Sequence, residues 1–97
     1  MVIGTLTARL LVRESRSLKD KRQVVRSILD KLRSNFPVAA SEVDHLDDHR
    51  QVSIGVVAIG PEREPVQKGL QSIQEALRGH PIAEYLGGEI ALGHEVV

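Results

Sequence analysis

The residues best suited to binding chemistry lie in a basic segment, residues 13–33. It holds eight basic residues against three acidic ones, although the whole chain has no net charge. If the segment is helical, four of its cations fall within about 60° of one another and form a row suited to phosphate, namely Lys19, Arg22, Arg26 and Arg33. The candidate phosphate- or RNA-binding residues are Arg16, Lys19, Lys21, Arg22, Arg26 and Arg33. The alternative is an ordinary solvated helix face whose long side chains cover apolar edges with their stems.

Lys21 stands apart from the other cations, because it projects onto the same helical arc as Val25, Ile28 and Leu32. An unpaired ammonium buried there would be costly. Lys21 therefore either extends its charged end to solvent from the first turn or meets a carboxylate. We expect the first arrangement.

A second polar group lies in the presumed hairpin loop, with the sequence Asp44-His45-Leu46-Asp47-Asp48-His49. Imidazole and carboxylate ligands together can hold zinc or another divalent ion. The spacing fixes no third or fourth ligand, however. We expect a solvated acidic turn here, and no metal or cofactor in the chain.

Catalytic signatures are scarce. The chain has no Cys, which excludes thiol nucleophiles and thiolate metal sites, and it has no Gly-rich loop with phosphate-binding spacing. Glu42 and Asp44 could share one face of a strand as an acid and base pair, but carboxylates two residues apart are common in strands. We do not expect an enzyme.

Hydrophobic periodicity predicts six elements that would position these groups. Alternating apolar residues indicate a strand at the start of the chain, and Ser17 followed by Asp20 indicates the beginning of a helix. Pro65 fits the first turn of a second helix. The predicted elements are a strand between Val2 and Val12, a helix from about Leu18 to the exit at Phe36 and Pro37, strands at Val38–Asp44 and Val52–Ile59, a helix from about Pro65 to Gly79, and a strand at Glu89–Val96.

This order predicts an α+β fold, a ferredoxin-like β-α-β-β-α-β sandwich with a four-stranded antiparallel sheet and two helices on one face. The first and third strands would be central. Residues 1–97 contain no internal linker or repeat, so we expect a single domain. No stretch approaches the roughly 20 apolar residues of a membrane helix, and no signal peptide is evident. We expect a cytoplasmic protein that does not enter a membrane.

The sheet face opposite the helices is a candidate homodimer surface, because its predicted residues are small or apolar. These residues are Thr5, Thr7, Leu11, Val57, Ile59, Ala91 and Gly93. We do not expect RNA recognition by base stacking on that face, because the chain's only Phe and Tyr residues are Phe36 and Tyr85 and it has no Trp.

The segment Ser17-Leu18-Lys19-Asp20-Lys21-Arg22, together with the later Ala40-Ser41-Glu42-Val43-Asp44, resembles the YlxP-like family of small uncharacterised bacterial proteins. The similarity covers nearly the whole chain. It implies a ferredoxin-like fold without established catalytic residues, in a family whose genes often lie among those for transcription and translation factors.

Three hypotheses follow from the sequence. The first is a non-enzymatic binding module that associates with RNA or a ribosomal particle through the basic first helix. The second is a homo-oligomeric domain that binds a small anion or metal between subunits. The third, which we rank last, is a small hydrolase or isomerase that depends on Glu42 or Asp44.

Overall fold

The computed structural model describes residues 1–94, which form one four-stranded antiparallel sheet and two helices. The elements follow the predicted order, so the α+β ferredoxin-like prediction is confirmed. Their bounds are β1 Val2–Leu11, α1 Leu18–Asn35, β2 Ala39–Asp44, β3 Gln51–Gly60, α2 Arg63–Arg78 and β4 Glu84–His94. Neither helix is long and apolar enough to cross a bilayer.

The sheet has the strand order β2-β3-β1-β4, which places the first and third strands in the centre as predicted. Along β1 the even-numbered residues are buried, while the odd-numbered ones are partly or fully exposed. The buried residues of both helices join the even-numbered β1 residues in one hydrophobic core. Both helices therefore cover the same face, and the other face is open.

Helix α1 begins where Ser17 and Asp20 predicted it. The hydroxyl of Ser17, the N-cap residue, accepts a hydrogen bond from the Asp20 N–H at 3.1 Å. The Asp20 carboxylate in turn accepts one from the Arg16 N–H at 3.1 Å, so it binds the amide before the N-cap and not the N-cap amide of a standard capping box. These bonds fix the point at which the basic segment enters the helix.

Strand β4 begins at Glu84, five residues before the predicted start at Glu89. Gly87 and Gly88 interrupt the sequence pattern, but they continue the pairing with Arg9 and Ala8 of β1. The irregularity is instead a register shift between Arg9 and Leu10, which places an extra residue in β4. The predicted end of this strand at Val96 lies outside the described residues.

Helix α2 packs closely on β1 at Gly4. A Cβ atom at Gly4 would lie 2.6 Å from Val66 Cγ1 and 2.7 Å from Leu70 Cδ1. Both of these side chains are buried and belong to α2. The absence of a side chain at Gly4 therefore sets how near the helix can approach the sheet.

Gly4→Ala should lower the free energy of unfolding by about 1–3 kcal/mol, because the added methyl group overpacks the contact with α2. Gly69→Ala is the matched control, since a Cβ atom at Gly69 in α2 meets nothing within 4 Å. That change should raise the free energy of unfolding by about 0.5–1 kcal/mol, since Ala favours helix more than Gly. Urea denaturation checks both changes, and equal effects of the two variants would contradict the packing described.

Candidate phosphate-binding surface

Lys21 is fully buried although it lies in the first turn of α1. Its Nζ lies 2.8 Å from Glu42 Oε2, and the Glu42 side chain is only 14% exposed. The expected arrangement is therefore wrong: the ammonium meets a carboxylate and does not extend to solvent. Glu42 Oε2 makes no hydrogen bond of good geometry, so its contact with Lys21 is an ion pair held by charge.

The same ammonium also holds the loop between β2 and β3. Lys21 Nζ donates a hydrogen bond to the His45 carbonyl at 2.8 Å and lies near the carbonyls of Gln51 at 3.4 Å and Leu46 at 3.5 Å. A buried charge needs both a counter-ion and hydrogen-bond partners, and this one has them. Lys21 thus joins the first turn of α1 to an edge strand and its loop.

The loop itself is organised by short-range hydrogen bonds. His45 has a positive φ of 58°, and its N–H donates to Asp44 Oδ1 at 2.7 Å. Asp48 Oδ1 accepts from the N–H groups of Gln51 at 2.9 Å and Arg50 at 2.8 Å. These two hydrogen bonds from backbone N–H groups hold the pKa of Asp48 below its usual value, and the bond from Gln51 has the larger effect.

The structure separates the potential metal ligands of this loop. Across residues 1–94, no three His, Asp or Glu side chains come together in a way that could hold a metal ion. Three of the polar side chains that suggested such a site, those of Asp44, His45 and Asp48, instead bind backbone amides and a neighbouring hydroxyl. Among these contacts, His45 Nδ1 lies 2.9 Å from Ser53 Oγ.

The contact between His45 and Ser53 has the distance of a nucleophile and its general base. Ser53 is only 4% exposed, however, and its hydroxyl offers little access to a substrate. Glu42 and Asp44, the predicted acid and base pair, are also separated. A bulge between them pairs Glu42 with Ile54 of the core face and Asp44 with Ser53 of the open face, so the two carboxylates lie on opposite sides of the sheet.

The remaining candidate cations of the basic segment are all exposed. Among the described residues, no carboxylate lies within 4.0 Å of the charged side-chain groups of Arg16, Lys19, Arg22 and Arg26. We call these four residues the basic stripe. Their side chains are free to meet an anion without first breaking an ion pair.

Arg33 lies further along the same side of α1. Its Nη2 donates to the carbonyl of Ala40 in β2 at 2.6 Å. This bond satisfies an acceptor at the edge of the sheet and shows that the basic side of the helix lies next to β2. Arg33 is thus partly engaged, whereas the basic stripe is not.

The sequence matches a known protein family over most of its length. Residues 3–90 match the model of a family described as a protein of unknown function, DUF503. The chain belongs to the DUF503 family. It is also 29% identical over 83 residues to the uncharacterized protein YlxP of Bacillus subtilis (strain 168), which covers 86% of this chain and 90% of that protein. The resemblance to YlxP-like proteins is therefore confirmed.

This DUF503 chain has one further polar region that sequence reasoning missed, at the turn between α2 and β4. His80 Nδ1 accepts from the N–H groups of Ala83 at 2.9 Å and Ile82 at 3.2 Å, so the proton of the neutral ring lies on Nε2. Beside it, Gln74 Nε2 donates to the Tyr85 hydroxyl at 2.6 Å, and the Arg78 guanidinium lies 5.2 Å from the Tyr85 ring. No sequence motif predicts this group, because its residues come from α2, the following turn and β4 and meet only in the folded chain.

Lys21→Met should lower the free energy of unfolding by about 3–5 kcal/mol, because it leaves a buried carboxylate and several carbonyls without their cation. Urea denaturation measures the change. Lys19→Met is the matched control, because Lys19 is exposed, and it should change the free energy by no more than about 0.5 kcal/mol. The double variant Lys21→Met/Glu42→Leu should recover part of the loss. Equal effects of the two single variants would show that the Lys21 contact does not stabilise the fold.

Acid should destabilise the protein through His80. Burial, and secondarily the charge of Lys31, hold the pKa of His80 below its usual value of 6.5. The unfolded chain therefore takes up a proton first, and stability contributed by the neutral ring is lost as the pH falls below about 6.5. Urea midpoints measured between about pH 8 and pH 5 should fall less steeply for His80→Gln than for the unchanged protein. An unchanged slope in His80→Gln would contradict this role of His80.

Proposed function

We propose that this protein is a non-enzymatic binding module that docks on structured RNA, as found in a ribosomal particle, through the basic stripe of α1. The observation that carries the proposal is the set of four exposed cations on the first helix and its entrance, none of them paired with a carboxylate within residues 1–94. When surface cations bind phosphates, they displace the counterions of the phosphates, which favours binding. Cations without a carboxylate partner can do so without first breaking an ion pair.

The geometry of α1 supports contacts with a phosphate backbone. Lys19, Arg22 and Arg26 follow one another at helical spacing over seven residues, a rise of about 10 Å. Arg16 extends the stripe before the first turn, where its own N–H is already bound by Asp20. A helix side of this kind suits the phosphates of a folded RNA, which is recognised largely by shape and backbone.

Stacking of bases contributes little to this proposal. The ring of Phe36 is partly buried against the core, and Tyr85 is held by Gln74 and Arg78. The open sheet face, where RNA-recognition folds present aromatic rings, therefore has none among the described residues. Affinity should arise mainly from charge, and sequence preference should be weak.

The structure changes which residues belong to the proposed contact. Lys21 was among the candidates, but its ammonium is fully buried and paired with Glu42, so no phosphate can reach it. Arg33 donates to Ala40 and would bind phosphate only by releasing that carbonyl. The proposed contact therefore rests on Arg16, Lys19, Arg22 and Arg26.

Binding to ribosomal particles should depend steeply on salt. If the four cations each neutralise one phosphate, log K should fall with log salt with a slope of about −3. In Arg22→Gln/Arg26→Gln, the slope should fall to about half, with a weaker affinity at low salt. Co-sedimentation with purified particles over a series of salt concentrations measures both quantities.

The control for that experiment is Arg63→Gln/Lys68→Gln, which removes the same charge from exposed positions of α2. It should leave the slope unchanged. Binding that does not respond to salt, or that weakens equally in the two double variants, would overturn the proposal, as would the absence of binding to any particle.

A further inference from the structure

The open face of the sheet carries a continuous band of small and apolar side chains. The register places Ala39, Val57, Thr5 and Ala91 side by side in one row, contributed by β2, β3, β1 and β4. Directly paired residues present their side chains on the same face, so this row crosses the whole sheet. The next row towards the end of the sheet contains Ile3, Ile59 and Gly93. We call these two rows the apolar band.

The apolar band is exposed to an unusual degree for such residues. Ile59 is 63% exposed and Val57 is 43% exposed. On the other side of the four-residue row, Val43 is 54% exposed and lies over Gly55, where a Cβ atom would meet Val43 Cγ1 at 2.8 Å. The missing side chain at Gly55 therefore leaves room for the bulge residue Val43, which adds apolar area beside the band.

We infer that this face binds a second copy of the same chain, so that two sheets pack through their apolar bands. Charge is the first argument for this occupant. The described residues of α1 and its entrance are strongly basic, and two such surfaces repel each other. The two rows of the apolar band contain no charged residue. Elsewhere on the open face, the charged residues of β1 and β4 are in ion pairs, Arg9 with Glu89 at 3.5 Å and Glu84 with Arg13 at 2.6 Å. A band without charge can meet its own copy.

The size of the face is the second argument. The whole open face, with four strands about 4.8 Å apart and six to eleven residues long, has a flat footprint of about 600 Å². Side-chain relief raises the accessible area above that figure, towards the roughly 800 Å² that each partner contributes to a standard interface. An isologous dimer uses the same patch twice, and stacked sheets pack their side chains at about 10 Å.

This arrangement also keeps the two proposed surfaces apart. The helices lie on the covered face of each sheet, so pairing through the open faces leaves both α1 helices on the outside. The basic stripe of each protomer remains accessible. The dimer does not rest on RNA binding, and either inference can fail alone.

Sedimentation velocity of the purified protein tests the inference. At about 100 μM, a hundred times above a dissociation constant of about 1 μM, the unchanged chain should sediment as a dimer. Ile59→Lys places an ammonium in the apolar band and should shift the protein to monomer, with at least a tenfold rise in the dissociation constant. Ala91→Lys makes the same test from β4, in case one variant folds poorly.

The matched control is Ile82→Lys. Ile82 is 59% exposed, nearly as much as Ile59, but it lies in the turn before β4 and not on the open face. This variant should remain dimeric. A monomer at about 100 μM in the unchanged protein would overturn the inference and leave the face to a different partner. A dimer that survives both open-face variants, or that Ile82→Lys dissociates equally, would also overturn it.

Discussion

The buried ion pair between Lys21 and Glu42 is the interaction on which the arrangement of this end of the molecule depends. One ammonium joins the first turn of α1 to β2 and to three carbonyls around the β2–β3 loop. Removing water from a lysine costs several kcal/mol, so the site is stable only because the counter-ion and acceptors are all in place. The helix start, the edge strand and the loop are therefore fixed relative to one another.

This constraint separates two kinds of cation in one short segment. Lys21 is used for structure, whereas its neighbours Lys19 and Arg22 point to solvent without carboxylate partners among the described residues. Because the ion pair fixes the first turn, the exposed side chains project from a rigid support. A rigid cationic surface loses less conformational entropy on meeting phosphate than one on a mobile loop.

Sequence periodicity predicted the fold well because local rules and burial agree in most elements. The alternation of apolar and polar residues predicted β1. Ser17 and Asp20 predicted that α1 begins at Leu18, which is where it begins. The early start of β4 was missed because Gly87 and Gly88 weaken strand propensity, while pairing with β1 overrides it.

The partner of Lys21 could not be predicted from the sequence either. Only the bulge at Val43 decides that Glu42 faces the helix and Asp44 does not, and a bulge leaves no clear mark in a single sequence.

The division between the buried Lys21 and the exposed cations of α1 is tested most directly by amine labelling of the lysines. The labelling is read by mass spectrometry, with and without ribosomal particles. In the free protein, Lys19 and Lys68 should react quickly and Lys21 slowly, because only the last is buried. Added particles should protect Lys19 on α1 and leave Lys68 on α2 reactive. The account would be contradicted if Lys21 reacted as fast as Lys19 in the free protein, or if particles protected Lys68 as strongly as Lys19.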